Sequence, residues 1–251
     1  VYDFFELTCL NMAQQGLFGE VIVTEGAYIH NLSKYWTEYV DNWRLSFNQA
    51  HSGDVYPTHG FGPCCQVLNI PRGDRLAYLV SMGSPSIIGA EYGRNLMDAE
   101  EFAEADHNIT LVKTENGKVM HIQHNVYTPR PYSRLYQLTG TKGYANKYPI
   151  EGILLENETL DASLVPDGVK IPAHEFLPEV VKENVMQAYK HPIHKEVEEV
   201  AKSVGGQGGM DYVMDYRLIY CLNNGLPLDQ DVYDAAEWSY IGEHSAQSKA
   251  N

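Results

Sequence analysis

Two β-rich runs, Ile109-Thr110-Leu111-Val112-Lys113-Thr114 and Lys118-Val119-Met120-His121-Ile122-Gln123-His124, flank Glu115-Asn116-Gly117. Asn-Gly populates positive φ cheaply, so it closes the tight turns whose twist matches paired antiparallel strands. This is the strongest local signal in the chain, and it sets an antiparallel pair at its centre. A third run, Leu135-Tyr136-Gln137-Leu138-Thr139, ends at Gly140-Thr141-Lys142-Gly143. The middle of the chain therefore reads as an antiparallel sheet. Residues 21–29 and 76–82 read as further strands. Helical periodicity appears over residues 3–17, which stop at Gly16, and over Cys64–Ile70. It recurs from Glu175 to Lys190, from Lys195 to Lys202, from Met210 to Asn223 and from Asp229 through Trp238. Residues 98–105, DAEEFAEA, read as a brief helix, and the acidic stretch 151–172 as an irregular surface excursion.

Apolar residues make up 44% of the 251, enough to bury a substantial core. A net charge of −15 argues against a nucleic-acid backbone and against an anionic membrane surface as partner. No apolar run approaches the roughly 20 residues of a membrane-spanning helix. The four cysteines, Cys9, Cys64, Cys65 and Cys221, form no C-x-x-C pair and read as buried thiols.

Chemistry-bearing residues gather in residues 51–66, HSGDVYPTHGFGPCCQ. His51, Asp54, Tyr56, Thr58 and His59 lie among Gly53, Pro57, Gly60, Gly62 and Pro63. The spacing predicts a shaped loop, carrying Tyr56 and His59, that runs into a helix start. A helix N-terminus suits an oxygen-rich ligand and keeps a nearby imidazole neutral. A tight turn holding a hydrogen-bonded histidine is the alternative reading. Trp36, Trp43 and Arg44 suit sugar or nucleotide binding, or simple loop packing. The segment 128–134, TPRPYSR, is stiffened by two prolines and presents Arg130, Tyr132 and Arg134, as part of a site or as an edge connection. Gly205-Gly206-Gln207-Gly208-Gly209 follows a helix and lacks G-x-G-x-x-G or G-K-[ST] spacing. It reads as a lid or a close backbone approach, not a phosphate loop. His191-Pro192-Ile193-His194 has no third ligand nearby, and no metal is expected there.

YPTHGFGP, TPRPYSR, GTKG, GGQGGMDYVMDYRLIY and NGLPLDQDVYDAAEWS, in this order and over nearly the whole chain, resemble glycoside hydrolase family 109, a branch of the Gfo/Idh/MocA oxidoreductase-like group. The resemblance implies an α+β fold, an open and mostly antiparallel sheet with helices packed on one face. It makes residues 1–251 the substrate-binding and catalytic C-terminal domain, with the N-terminal Rossmann domain that holds NAD absent from the chain. It implies NAD-assisted cleavage of an N-acetylgalactosaminide or related glycoside: oxidation at carbon 3, elimination, water addition and re-reduction. Sugar dehydrogenase chemistry and a catalytically inactive sugar-binding module are the alternatives. Carried over by motif, His59, Tyr132, Tyr2 and Gln207 are the catalytic candidates. Arg44, Tyr56, Tyr132, His59 and Tyr2 are the substrate-binding ones. Many members read GGHGG where this chain has Gln207, an amide that cannot serve as an acid. The resemblance also implies an exported or periplasmic protein. A homo-oligomer is expected, formed through a sheet face carrying Val112, Ile122 and Leu138.

Overall fold

The computed structural model describes residues 1–38 and 43–250, so residues 39–42 of the aromatic-rich stretch 32–50, and residue 251, lie outside the described residues. The chain opens with α1 (Phe4–Gln14), capped by the Asp3 carboxylate, which accepts from the Phe5 and Glu6 amides. Then follow β1 (Val21–Ile29), α2 (Trp43–Ala50), α3 (Thr58–Val67), β2 (Leu76–Gly83) and α4 (Ile88–Met97). The middle supplies β3 (Asn108–Thr114), β4 (Val119–Asn125), β5 (Tyr136–Gly140), β6 (Gly143–Lys147) and β7 (Gly152–Leu155). Four helices close the chain: α5 (Glu179–Ala188), α6 (Pro192–Val204), α7 (Met210–Asn224) and α8 (Val232–Ala250).

The strands form one open sheet, β2-β3-β4-β1-β5-β6-β7. The Asn-Gly turn joins β3 to β4 as read. All pairs are antiparallel except the central one, β1 with β4. The carboxyl ends of these two parallel strands therefore open toward the same side. The third run ends at Gly140 as read, and Thr141-Lys142 turns it into β6.

Helices pack on one face, as the resemblance implies for this α+β class. Phe5, Cys9 and Met12 of α1 and Phe61, Cys64 and Cys65 of α3 bury against Met120, Ile122, Leu138 and Ala145 of the sheet. Burying the phenylalanine, methionine, isoleucine and leucine side chains among them contributes about 1.5–3 kcal/mol each. All four cysteines are buried and unpaired, as expected.

Several expectations are corrected. Val112, Ile122 and Leu138 do not lie on the open face: they are 1%, 1% and 0% exposed and face the chain's own helices. The open face carries the residues one position away, Tyr78, Val80, Met82, Ile109 and Leu111, all exposed. Strand side chains alternate, so an offset of one residue exchanges the faces. Residues 98–105 are not helical. The helix is α4, just before them, and it closes at Asp98 in the left-handed conformation (φ 53°). DAEEFAEA instead delivers Glu104 to the interior, and Asp106 beyond it accepts from the Ile87, Ile88 and Gly89 amides at the start of α4. The stretch 151–172 begins with β7. The H-P-I-H sequence starts α6 rather than separating two helices, with His191 Nδ1 accepting from the Ile193 amide. The last helix begins at Val232, leaving Asp229 free for the site.

Candidate functional site

The site forms at the carboxyl ends of β1 and β4. Gly26 and Tyr28 alternate along β1 on the face that α3 covers, and His30 follows just past the strand's end. There the backbones of Gly26 and Gly60 touch: a Cβ on Gly26 would overlap the Gly60 carbonyl, and one on Gly60 would stand 2.7 Å from the Ala27 amide nitrogen. Glycine at both positions lets the first turn of α3 sit directly on the strand. His59, one residue from the contact, is thereby laid against Tyr28, with ring centroids 4.7 Å apart. His59 thus belongs to the first helical turn, not to the loop predicted for it. The sequence placed the helix start later because Gly60, Gly62 and Pro63 are poor helix formers. Pro63 also removes the amide that would bond the His59 carbonyl.

A cleft of about 590 Å³ opens over these residues. It is lined by Tyr2, His59, Tyr132 and Gln207, four of the six candidates, together with Tyr28, His30 and Arg134. Tyr56 stands just behind, 5.0 Å from the His59 ring and 5.2 Å from the Tyr28 ring. Arg44, at the start of α2, lays its guanidinium 5.0 Å over the Tyr56 ring and 4.8 Å over Trp43. All six candidates therefore form one contiguous cluster, assembled from five separate stretches of chain.

Burial, then the Arg134 guanidinium, pull His59 down to about 4. The imidazole is neutral near pH 7 and able to accept a proton, in the direction the helix start predicted, although desolvation is the main cause. Tyr2 donates to the Asp229 carboxylate at 3.3 Å, and Arg217 grips the same carboxylate with two bonds of 2.8 and 2.7 Å. Burial and Asp229 raise the Tyr2 hydroxyl far above the usual phenol range, so it is held as a hydrogen-bond donor. Tyr132 is 43% exposed, and burial of the rest of it raises its hydroxyl. Gln207 sits exposed in the turn Gln207–Gly209 with φ 49°, flanked by glycines at φ 77° and 73°. Burial, followed by Arg44, lowers His30.

Beneath Tyr28 lies a buried polar chain. Asn48 donates to the Tyr127 hydroxyl at 2.9 Å, and that hydroxyl donates to Glu104. The other Glu104 oxygen lies 2.9 Å from His124 Nδ1, with both residues 2% exposed or less. Burial alone would lower His124, but the Glu104 carboxylate outweighs it and raises the imidazole. Asp54, 1% exposed, is pushed up to about 6 by burial, with His124 opposing. The His124 ring stacks on Tyr28 with centroids 6.0 Å apart and planes 28° apart.

The sequence reading missed Tyr28, His30 and Asp229. Period-2 spacing with Gly26 was the available signal for the first two; nothing local marks Asp229. Among the described residues, no three His, Cys, Asp or Glu come together to hold a metal ion, and no helix is long and apolar enough to cross a membrane.

The fold defines a class. The chain superposes on levoglucosan dehydrogenase in complex with NADH at a TM-score of 0.58 and 14% identity, over 99% of this chain and 63% of that one. It superposes on scyllo-inositol dehydrogenase from Lactobacillus casei with bound NAD(H) and scyllo-inositol at 0.54 and 9%, over 98% and 59%. These structures share the fold of this chain, an open and mostly antiparallel sheet with helices on one face. The chain belongs to glycosyl hydrolase family 109. The profile described as "Glycosyl hydrolase 109, C-terminal domain" matches residues 2–251. The chain is 56% identical to glycosyl hydrolase family 109 protein 1 of Phocaeicola vulgatus and 58% identical to that of Bacteroides thetaiotaomicron, across all of this chain and 54% of each relative. It spans about half the length of these curated relatives.

Proposed function

We propose that this chain is the sugar-binding half of an NAD-dependent glycosidase acting on an N-acetylgalactosaminide or related glycoside. The observation that carries the reading is the convergence of His59, Tyr132, Tyr2 and Gln207 on one cleft. Arg44 and Tyr56, packed against that cluster, hold sugar hydroxyls or the acetamido oxygen through the guanidinium fork. Tyr2, whose one proton goes to Asp229, accepts from a ring hydroxyl through its phenol oxygen. His59, neutral near pH 7, is the base that takes the ring proton at carbon 2 or the hydroxyl proton at carbon 3.

These residues fit the sugar side of the reaction and not the phosphates of the dinucleotide. Among the described residues, the one long glycine run, Gly205–Gly209, follows α6 instead of a strand and brings only its Gln207 to the cleft. NAD, held mainly by residues other than these, supplies reversible removal of hydride from carbon 3. Calorimetry on this stretch alone is expected to find no binding of NAD, and micromolar binding would refute that part.

The test uses the full-length protein with NAD and an α-N-acetylgalactosaminide in D₂O. Free sugar with deuterium at carbon 2, and no net NADH, is the expected result. Net NADH from free sugar would instead select a sugar dehydrogenase. The absence of an acid at Gln207 and the dehydrogenase fold are what favour that second reading. Sugar binding with neither product would select an inactive binding module.

The same reading includes self-association through the open sheet face, now carrying Val80, Met82, Ile109 and Leu111. It also includes an exported or periplasmic location, supported by the resemblance and tested by cell fractionation.

A further inference from the structure

Gln207 leaves the cleft without an evident group to protonate the departing oxygen, yet a second histidine lines the same cleft. His30 follows Tyr28 by two residues, just past the end of β1, and both side chains line the cleft. The Tyr28 hydroxyl stands 3.0 Å from His30 Nδ1. The edge-on Tyr132 ring, 5.0 Å from His30, restricts how the imidazole turns. Tyr28 is itself locked, 8% exposed and packed among His59, Tyr56 and His124.

We propose that Tyr28 and His30 form a proton relay that serves the departing oxygen of the glycoside, with His30 as the group touching it and Tyr28 as the proton source behind. This rests on the glycosidase reading above. With Nδ1 accepting from Tyr28, the His30 ring carries its proton on Nε2. As the bond from carbon 1 to the departing oxygen breaks, that oxygen takes the Nε2 proton. Nδ1 then takes the Tyr28 hydroxyl proton, leaving a neutral imidazole and a phenolate. When water adds, its hydroxyl bonds to carbon 1 and its proton returns through the imidazole to the phenolate. The relay thus ends as it began, and no redox partner is consumed. A phenol has a proton to pass on through the imidazole, whereas the Gln207 amide is no acid.

The test uses full-length, NAD-loaded protein with a nitrophenyl glycoside and an alkyl glycoside of the same sugar. Nitrophenolate departs without a proton; an alkoxide needs one. Tyr28→Phe and His30→Gln are each expected to lower the ratio of alkyl to nitrophenyl rates by about 100-fold, within the range general acid help supplies. Tyr28→Phe keeps the ring and its packing, so a purely structural role would leave that ratio unmoved. An equal loss on both substrates, or no loss, overturns the relay. Nitrogen NMR of the wild-type His30 ring is expected to show Nε2 protonated and Nδ1 as acceptor; the opposite tautomer overturns it independently. Failure of the wild type to release sugar from either glycoside would sink the glycosidase reading instead, and is visible before any variant is made.

Discussion

Gly26 of β1 and Gly60 of α3 meet backbone to backbone, and this contact fixes where His59 stands relative to Tyr28. Neither glycine has a positive φ, so what the position demands is space, not backbone freedom. Gly26→Ala would drive a methyl into the Gly60 carbonyl. Overpacking of this kind costs about 1–3 kcal/mol, and relief comes by lifting the first turn of α3 off the strand. Chemical denaturation should show a loss of that size. Activity at a temperature where the variant remains folded should fall as well, because His59 moves with the turn. A destabilised variant of unchanged kcat would separate His59 from the chemistry.

The Glu104–His124 pair makes a second prediction. Both groups are essentially out of solvent, and Tyr127 holds the remaining carboxylate oxygen. Removing one partner leaves the other charged or unsatisfied in a dry interior, at about 3–5 kcal/mol. Glu104→Ala and His124→Ala should each lower the denaturation midpoint sharply, and the double variant should cost less than the two losses added. Additive losses would show that the two side chains do not act as a pair.

What the sequence made legible followed from local physics. The Asn116-Gly117 hairpin, β1 and the Gly225 helix stop came from turn chemistry and periodicity, which a few adjacent residues settle. The parallel β1–β4 pair was invisible because nothing local records that residues 23–29 sit beside 119–125. The start of α3 was misplaced because a tertiary contact between two glycines overrides weak helix propensity. Glu104 looked helical in DAEEFAEA because an acidic, alanine-rich run has that propensity anywhere; its burial depends on His124 and Tyr127, which lie 20 and 23 positions away. The candidate residues came from motifs, whereas Tyr28 and His30 needed the strand's facing to be seen.

The pH dependence of stability can be signed. His59 and His194 both titrate near 4 in the folded chain, pulled down mainly by burial, against an ordinary 6.5. The folded state therefore binds fewer protons than the unfolded one between those values. The stability they contribute is present above pH 6.5 and is lost as pH falls through about 4. Asp54 has the opposite sign, since its carboxyl is raised to about 6 and its contribution is lost as pH rises through that value. Denaturation at pH 7, 5.5 and 4 should show a shallower acid decline for His59→Gln and His194→Gln than for wild type, and a steeper one for Asp54→Asn. In kinetics the acid limb of kcat/KM should lie well below 6.5; a limb at 6.5 would mean that His59 is not the base.

The open sheet face offers an association test. Val80 pairs with Leu111 and Met82 with Ile109 across β2 and β3, an apolar strip on an exposed sheet. Met82→Lys with Leu111→Glu should lower the association state in sedimentation velocity at high micromolar concentration while leaving the fold intact, since neither side chain reaches the core. A wild type that sediments as a monomer at that concentration removes the proposal.

Gln207 carries the last prediction. Its backbone, at φ 49°, lies in the left-handed region, which histidine adopts more readily than most side chains. The flanking glycines already supply the turn, so Gln207→His should fold without strain. The new imidazole would reach the same cleft and add an acid beside the departing oxygen. Protonation matters for an alkoxide and little for nitrophenolate, whose charge is delocalised. The variant should therefore raise the alkyl-glycoside rate relative to the nitrophenyl one, and the gain should be larger in a His30→Gln background, where the relay is broken. General acid help of this kind spans about 10²–10⁴-fold, which sets the ceiling on the rescue. Equal changes on both substrates, in both backgrounds, would reduce the glycine loop to a lid and leave proton delivery to Tyr28 and His30 alone.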